Sequence, residues 1–194
     1  MELRKEKELI KEAKKDPEVF GKLYDQHYSR IFGYILKRTA DLEIAQDITS
    51  ETFFKALKGL WRFRWKDTFS VYPVGHRRCS FGAWLYRIAN NEIANYFRKN
   101  KHKPVSLEKI PEPITVHNPE TEFLEAQEKL KQHQDFLKIQ KEIFKLPIRY
   151  QEVITLRFFE KKKLKEISEI LGKKEGTIKS LVHRGLEKLK NLIE

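Results

Sequence analysis

The sequence predicts an all-α fold of two helical domains joined by a proline-rich linker. Apolar residues recur at intervals of three and four along most of the chain, and no stretch shows a convincing alternation with a period of two. Four prolines between Pro104 and Pro119 exclude a continuous helix across that segment. We therefore expect domains at 1–103 and 136–194, with an acidic, partly extended linker at 104–135.

The first domain is predicted to hold three helices, each preceded by a residue that can cap it. Asp and Ser side chains cap helices because they accept hydrogen bonds from backbone N–H groups of the first turn. Asp16, which precedes a proline, begins the first helix, and Asp41 begins the second, which Gly59 is expected to end. A loop at 61–80 follows, and Ser80 at its end caps the third helix.

The third helix, FGAWLYRIANNEIANYFRKNKH at 81–102, has two different faces at 100° per residue. Its apolar face is expected to pack inward. The opposite face carries Arg87, Asn91, Ala94 and Arg98, with Trp84 and Asn95 at its margin. Amide groups can pair with base edges and guanidinium groups with phosphate or guanine, although a merely solvated polar face is the alternative. Glu92 falls on the apolar side, which the helical pattern does not explain; pairing with a buried cation is one interpretation.

The loop at 61–80 and the helix after it are rich in both rings and cations. Ten of the 23 aromatic residues lie between Trp61 and Phe97, and ten Lys or Arg residues lie between Arg62 and Lys103. Cations that follow phosphates and rings that stack on exposed bases are typical of proteins that bind single-stranded nucleic acid. Some of these rings are also expected to close over the core of the domain.

The second domain has the pattern of a helix-turn-helix. Helix is expected from Asn118 to about Lys145 and again from Pro147; a short helix then ends at Gly172, and the last helix covers 175–192. In such a motif the N-terminal half of the second helix meets the major groove. The side chains expected to face outward there are Thr177, Lys179, Ser180, His183 and Arg184. A plain helical hairpin is the alternative.

Charge is distributed unevenly along the chain. The formal net charge is +12, and it divides into −2 over 41–59, +8 over 60–103, −4 over 104–136 and +7 over 137–194, with the remainder at the N-terminus. A strongly basic chain favours nucleic acid or an anionic membrane as its partner. A surface of the thermophile type is the alternative, but it does not predict two basic segments on either side of an acidic one.

Several classes of protein are disfavoured. Cys79 is the one cysteine, which excludes an internal disulfide and suits a reducing compartment. The charged N-terminus lacks a signal peptide and no apolar run approaches the ~20 residues of a membrane span, so we expect a cytoplasmic protein without membrane insertion. No catalytic motif is visible, and His76 with Cys79 offers too few ligands for zinc. We expect no enzymatic activity, no cofactor and no metal.

Four segments, taken in their order along the chain, resemble the extracytoplasmic-function (group 4) sigma factors of bacterial RNA polymerase. DPEVFGKLYDQHYSRIFGYILKR resembles their region 2.1, AQDITSETFFKAL their region 2.2 and FGAWLYRIANNEIANYFRK their regions 2.3 and 2.4. The segment from LPIRYQEVITLRFF to GTIKSLVHRGLEKL resembles region 4. The resemblance implies a region 2 helical bundle in the first domain and a region 4 helix-turn-helix in the second.

The same resemblance implies a role for each surface. The clamp helices of core RNA polymerase would bind Asp41, Gln46, Asp47 and Glu51, and the polymerase flap would bind region 4. The −10 promoter element, as a single strand, would contact Trp84, Arg87, Asn91, Asn95 and Arg98. Base capture would fall to Arg62, Phe63, Arg64 and Trp65. The −35 element, as a duplex, would contact Thr177, Lys179, Ser180, His183 and Arg184.

The resemblance also implies an anti-sigma factor as a partner, and closure of the two domains on each other when it binds. Three other functions stay open at the level of sequence. A stand-alone helix-turn-helix regulator would bind duplex DNA without polymerase, and an RNA-binding module would prefer single strands without directing transcription. An enzyme of unrecognised type is the third, although the sequence offers it no catalytic residues.

Overall fold

The computed structural model of the chain describes residues 2–65, 79–100 and 137–194. Within these ranges the regular structure is helical, and the predicted all-α class is confirmed. The loop residues 66–78 and the predicted linker 104–135 lie outside the described residues, and the expectations about them are untested.

Eight helices lie in the described part of the chain. In chain order they are α1 (Glu2–Ala13), α2 (Phe20–Thr39), α3 (Leu42–Gly59), α4 (Phe81–Lys99), α5 (137–145), α6 (Ile148–Ile154), α7 (Leu164–Leu171) and α8 (Glu175–Ile193). Helix α1 was not predicted, because charged residues occupy most of its positions and leave a narrow apolar stripe. That stripe suffices to dock it, since Ile10 and Ala13 are both buried.

The predicted helix starts are confirmed by their capping geometry. Asp16, Asp41 and Ser80 each accept a hydrogen bond from a first-turn backbone N–H, at 3.0, 3.0 and 3.2 Å. Replacing such a cap by alanine typically costs ~1 kcal/mol. Asp41 and Ser80 therefore fix where α3 and α4 begin, whereas Asp16 caps a 3-10 turn at Pro17–Val19 that leads into α2.

The two predicted glycine stops behave differently. Gly172 ends α7 in the left-handed region at φ 65, as predicted. Gly59 is the last residue of α3, but its φ of −91 is right-handed and the chain continues into a 3-10 turn at Leu60–Arg62. A Cβ at position 59 would lie 3.3 Å from Cζ2 of Trp84, so this glycine makes room for the indole ring instead of reversing the chain.

The N-terminal unit is a bundle in which α2, α3 and α4 pack against one another and α1 lies against α2. Its core is fully enclosed, and the members with no exposed surface are Leu23, Tyr34, Ile35, Ala45, Ala56, Phe81, Leu85, Ala89 and Ile93. In the C-terminal unit α8 packs against α6 and α7. Residues enclosed there are Val153, Leu156, Ile167 and Ile178.

A π-helical turn at Thr155–Phe159 links α6 to the helix-turn-helix. The backbone N–H of Glu160 donates to the carbonyl of Thr155, five residues back, at 3.0 Å, and Lys161 then adopts a left-handed φ of 52. Such single π turns occur often at functional positions. Here the widened turn and the reversal carry the Glu160 carboxylate to the surface of the N-terminal unit.

The two units are in direct contact. Helix α4 packs on α7, and the π-helical turn lies against α2. Nε2 of Gln140, on α5, donates to the backbone carbonyl of Lys37 near the end of α2 at 2.8 Å. Part of the surface that the sequence assigns to DNA is therefore covered by the second unit.

Candidate nucleic-acid interface

The C-terminal half of α4 presents a polar stripe to solvent. Asn91 and Arg98 are exposed, and the half-buried Asn95 accepts a hydrogen bond from Nη2 of Arg98 at 3.0 Å. Ala89 and Ile93, both without exposed surface, anchor the opposite face of the helix. From Asn91 to Arg98 the stripe spans ~10 Å at 1.5 Å per residue. It offers amide and guanidinium groups that can pair with bases and phosphates.

Trp84, at the N-terminal end of the predicted stripe, is half-buried in a cluster of rings. Its indole lies 4.9 Å from the ring of Phe63 and 5.6 Å from that of Phe81, measured between centroids, and it rests against Gly59. Offset and edge-on ring pairs of this kind are worth ~0.5–1.5 kcal/mol beyond the burial of area. The cluster holds Trp84 in place, so the exposed part of the indole is a rigid surface.

The segment 61–65 divides between core and surface. Phe63 is buried, and its prediction as a base-capture residue is corrected, because its ring packs against Phe81 and Trp84 and offers no face to a base. Arg62 and Arg64 are exposed, and Trp65 is half-buried. Trp61 is 67% exposed, with the Arg62 guanidinium 4.4 Å from its ring centroid.

Arg87 is predicted to contact DNA, yet in this structure it contacts α7. Its Nε donates to the carbonyl of Ile170 at 3.2 Å and its Nη2 donates to that of Glu169. These carbonyls belong to the last turn of α7, which has no intrahelical donors for them and carries the negative end of the helix dipole. Arg87 therefore acts as a C-terminal cap for the first helix of the helix-turn-helix, with its guanidinium directed at α7.

Glu160 makes a second polar contact between the units. One carboxylate oxygen accepts from Nζ of Lys37 at 2.8 Å and the other accepts from the hydroxyl of Tyr86 at 2.7 Å. Burial, followed by the nearby Glu160 carboxylate, raises the pKa of Tyr86, so its hydroxyl stays protonated and can donate. The ammonium of Lys162 lies 5.1 Å from the centroid of the same ring.

A buried polar cluster that the sequence did not indicate lies behind this contact. The hydroxyl of Tyr34 donates to Oδ1 of Asn90 at 2.6 Å, and Nη1 of the buried Arg38 donates to that hydroxyl at 3.2 Å. Burial raises the pKa of Tyr34 to about 12. Burial also raises the pKa of Glu152 on α6, against the opposing effect of Arg38 and Lys173. The i, i+4 spacing of Tyr34 and Arg38 was the available signal, but it also fits a surface pair.

The outer face of α8 is open as the helix-turn-helix pattern predicts. All five predicted −35 residues are exposed, namely Thr177, Lys179, Ser180, His183 and Arg184. Ile178 is fully buried and fixes the rotation of the helix. Leu186, farther along the helix, is 40% exposed. The contact between the units leaves this face accessible.

Helix α3 exposes a face that is both acidic and apolar. Gln46, Asp47 and Glu51, which are predicted to bind polymerase, are exposed. Asp41 is instead the N-cap of α3, where Oδ1 accepts from a backbone N–H at 3.0 Å, so its first role is structural.

Two large apolar side chains of α3 add to this face. Phe54 is 51% exposed and Leu57 is 37% exposed. Nζ of Lys58 lies 4.2 Å from the centroid of the Phe54 ring. At a helical repeat of 100° these residues share the face of Gln46 and Asp47. An apolar patch with an acidic margin is typical of a protein-binding surface.

The position of Glu92 on α4 is explained by a partner at the surface. Its Oε2 lies 2.7 Å from Nζ of Lys55, which also lies 3.1 Å from Oε1 of Glu51. The Lys55 side chain is 43% exposed, so the expectation of a buried cation is wrong. These ion pairs tie α4 to α3 and raise the pKa of Lys55, chiefly through the hydrogen bond to Glu92.

The described residues form neither a metal site nor a membrane span. In the ranges 2–65, 79–100 and 137–194, no group of three His, Cys, Asp or Glu residues is arranged to hold a metal ion. Among the helices described above, none is long and apolar enough to cross a membrane.

Comparison with family models matches two parts of the chain. Residues 23–79 match the model described as Sigma-70 region 2, and residues 136–189 match the model described as Sigma-70, region 4. RNA polymerase sigma factor YlaC of Bacillus subtilis is 33% identical over 172 residues, which cover 88% of this chain and 90% of that protein. ECF RNA polymerase sigma factor SigW of the same species is 29% identical, over 95% of this chain and 94% of that one.

A third relative is longer than this chain. ECF RNA polymerase sigma factor BldN of Streptomyces coelicolor is 29% identical over 96% of this chain, and the chain spans 65% of its length. Two solved structures share the fold. CnrH in complex with the cytosolic domain of CnrY has a TM-score of 0.61 at 19% identity, covering 95% of this chain and 94% of that one. RpoE in complex with the anti-sigma factor NepR from Bartonella quintana has a TM-score of 0.56 at 21% identity, covering 90% and 96%.

Proposed function

Because the chain belongs to the sigma-70 family of RNA polymerase sigma factors, in its extracytoplasmic-function group, we propose a division of promoter recognition between its two units. It is a transcription initiation factor and not an enzyme, and it directs RNA polymerase to promoters. In our proposal residues 1–103 bind core polymerase and open the −10 element. Residues 136–194 bind the −35 element, and 104–135 connect the two.

Helix α4 carries the proposed contact with the −10 element. Asn91, Asn95 and Arg98 line an open stripe, and Trp84 forms a rigid aromatic surface at its end. Extruding bases from a duplex costs a few kcal/mol of stacking, and stacking on aromatic residues returns ~1–3 kcal/mol per base. Binding of the extruded strand can therefore drive local melting without ATP. Arg62, Arg64 and Trp65 are the remaining candidates for base capture.

Helix α8 carries the proposed contact with the −35 element. The exposed side chains in its N-terminal half include Lys179 and Arg184, and Ile178 buries the opposite face. A recognition helix meets base edges with its N-terminal residues, so this half can enter the major groove of duplex DNA. Each unit alone makes a modest contact, and polymerase strengthens the pair by fixing their spacing.

The polymerase contact is proposed to lie on α3. Gln46, Asp47 and Glu51 supply polar and acidic groups, and Phe54 and Leu57 supply apolar area that is exposed in this structure. Burying a large apolar side chain is worth ~1.5–3 kcal/mol, so these two residues would contribute more than the surface charges. The acidic margin would instead guide the approach to a basic partner surface.

The contact between α4 and α7 is proposed to be a closed state that must open on the polymerase. Arg87 is directed at the last turn of α7 in this structure, and in our proposal it turns to a phosphate only when the two units separate. The neighbours CnrH and RpoE are each described in complex with a partner, and NepR is an anti-sigma factor. We propose that an anti-sigma factor binds this chain as well and favours its closed state.

The observation that carries the proposal is the pairing of an open polar stripe on α4 with an open basic face on α8 in one chain of this family. Run-off transcription with core polymerase on genomic fragments tests it, with start sites mapped. The Asn91→Ala, Asn95→Ala double variant should keep polymerase binding but abolish permanganate reactivity of −10 thymines. If reactivity stays unchanged, α4 does not open the promoter. Failure to associate with core polymerase at all would remove the proposal.

A further inference from the structure

A basic groove lies between α1 and the segment that follows α3. It encloses about 220 Å³ and is lined by Lys7, Lys11 and Lys14 on one side and by Phe63, Arg64 and Trp65 on the other. Within the described part of the chain, no carboxylate lines it. The sequence pattern did not indicate this groove, because α1 itself was not predicted.

The helix geometry gathers the three lysines on one side, because Lys14 directly follows α1 and its backbone N–H still donates to the carbonyl of Ile10 at 3.1 Å. Positions 7, 11 and 14 are separated by four and three residues and so lie within about 60° of one another around α1. Like charges at these spacings destabilise a helix by ~0.2–0.5 kcal/mol per pair. The burial of Ile10 and Ala13 fixes the rotation of α1 and so directs the lysines to the groove.

Lys14 joins this helix to the aromatic segment. Its Nζ donates to the backbone carbonyl of Phe63 at 2.7 Å. Burial, followed by the nearby Arg64 guanidinium, lowers the pKa of Lys14. Two cations are thus held close together beside a half-buried Trp65. An anion placed in the groove would relieve this repulsion.

We infer that the groove binds backbone phosphates of the extruded promoter strand, next to the base that Trp65 and its neighbours receive. The inference rests on the proposed function of α4 and adds α1 to it. From Lys7 to Lys14 the chain rises ~10 Å, about three times the ~3.4 Å rise per nucleotide of a strand in duplex DNA, so the lysines can reach several neighbouring phosphates. Lysines serve as point charges for phosphate, and the adjacent ring serves for stacking.

The composition of α1 favours nucleic acid over a membrane as the occupant. Interfacial helices place apolar residues opposite their basic face, but the apolar residues Ile10 and Ala13 are buried in the bundle. Glu8 and Glu12 are exposed elsewhere on the helix, where they would repel an anionic lipid surface. The combination of cations with Trp65 is the one found in single-strand binding sites.

The test uses the full chain bound to core polymerase and a forked promoter DNA with a single-stranded non-template −10 segment. The Lys7→Gln, Lys11→Gln double variant should weaken binding and reduce the slope of log K against log salt by ~1.4, since each single-strand phosphate contact contributes ~0.7. Lys22→Gln, which removes an exposed charge of α2, should leave both unchanged. The Lys7→Arg, Lys11→Arg variant should restore the slope.

Three results of this experiment would overturn the inference. An unchanged slope in the double glutamine variant, with wild-type helical content by circular dichroism, would overturn the groove while leaving α4 as the −10 contact. A loss of polymerase binding in that variant would make the groove a protein interface and overturn the inference. If the wild-type complex does not bind the single-stranded −10 segment, the proposed function of α4 fails, and the inference about the groove fails with it.

Discussion

The sharpest test of the closed state is removal of Glu160. This carboxylate bridges Lys37 and Tyr86 across the boundary between the units at 2.8 and 2.7 Å. It lies on neither of the proposed DNA-binding surfaces, whereas Arg87 belongs to both the contact and the DNA site. Glu160→Ala should therefore weaken closure without removing any group that touches DNA.

The expected magnitude follows from the two contacts. A hydrogen bond to a charged group is worth ~1.5–3 kcal/mol, and an ion pair as accessible as Lys37 to Glu160 adds at most ~1 kcal/mol. The Lys37 side chain is 34% exposed and that of Glu160 only 9%, so part of the gain offsets desolvation of the carboxylate. A net change of ~2 kcal/mol shifts the equilibrium about 30-fold towards the open form.

The assay is fluorescence anisotropy with a labelled single-stranded −10 oligonucleotide and the chain without polymerase. If the free chain is mostly closed, its apparent affinity is reduced by the fraction that is open, and Glu160→Ala should raise it by up to about 30-fold. Tyr86→Phe, which changes no charge, should raise it by a smaller factor. Glu18→Ala removes an exposed carboxylate outside the contact between the units, so it should show how much of the gain in affinity comes from the change in net charge alone.

If Glu160→Ala binds the oligonucleotide no more tightly than Glu18→Ala, and small-angle scattering shows no expansion, the contact does not govern access to α4. An equal gain in both glutamate variants would point to net charge alone.

Three further predictions concern other surfaces. Phe54→Ser should weaken binding to immobilised core polymerase by ~1.5–3 kcal/mol, because it removes an apolar contact from the proposed interface; an affinity equal to wild type would exclude α3 as the docking surface. Arg184→Ala should weaken binding to an isolated −35 duplex by ~1–3 kcal/mol, whereas Lys190→Ala, in the last turn of α8, should not; equal losses would indicate non-specific attraction. Glu152→Gln should raise the free energy of unfolding at pH 7. Burial holds the folded pKa of Glu152 above its unfolded value, so the wild type loses stability as pH rises through that folded pKa and the variant does not. Urea unfolding at several pH values measures this, and parallel profiles for the two proteins would contradict it.

Local chemistry carried most of what the sequence could predict. Capping by Asp16, Asp41 and Ser80 depends on a few neighbouring atoms, and the helix starts follow from it. The exposed face of α8 follows from periodicity, because one apolar stripe must pack and the rest must meet solvent. The capped helix starts and the exposed face of α8 were therefore accessible without coordinates.

Tertiary packing decided what the sequence missed. The ring of Phe63 turns inward because Phe81 and Trp84 offer it contacts that no local rule contains. Leu57 stays exposed although its position fits an apolar stripe, since no helix covers that side of α3 in the described part of the chain. Arg87 pairs with carbonyls more than 80 residues away in sequence, a contact that periodicity cannot encode.

If Arg87 has both proposed roles, its position links DNA binding to separation of the two units. One guanidinium serves the end of α7 in one arrangement and is proposed to serve a phosphate in the other. If closure lowers the affinity of the chain for DNA by some factor, thermodynamic reciprocity requires that bound DNA lowers the closed-to-open equilibrium constant by the same factor. Binding of promoter DNA would thus itself contribute to separating the two units.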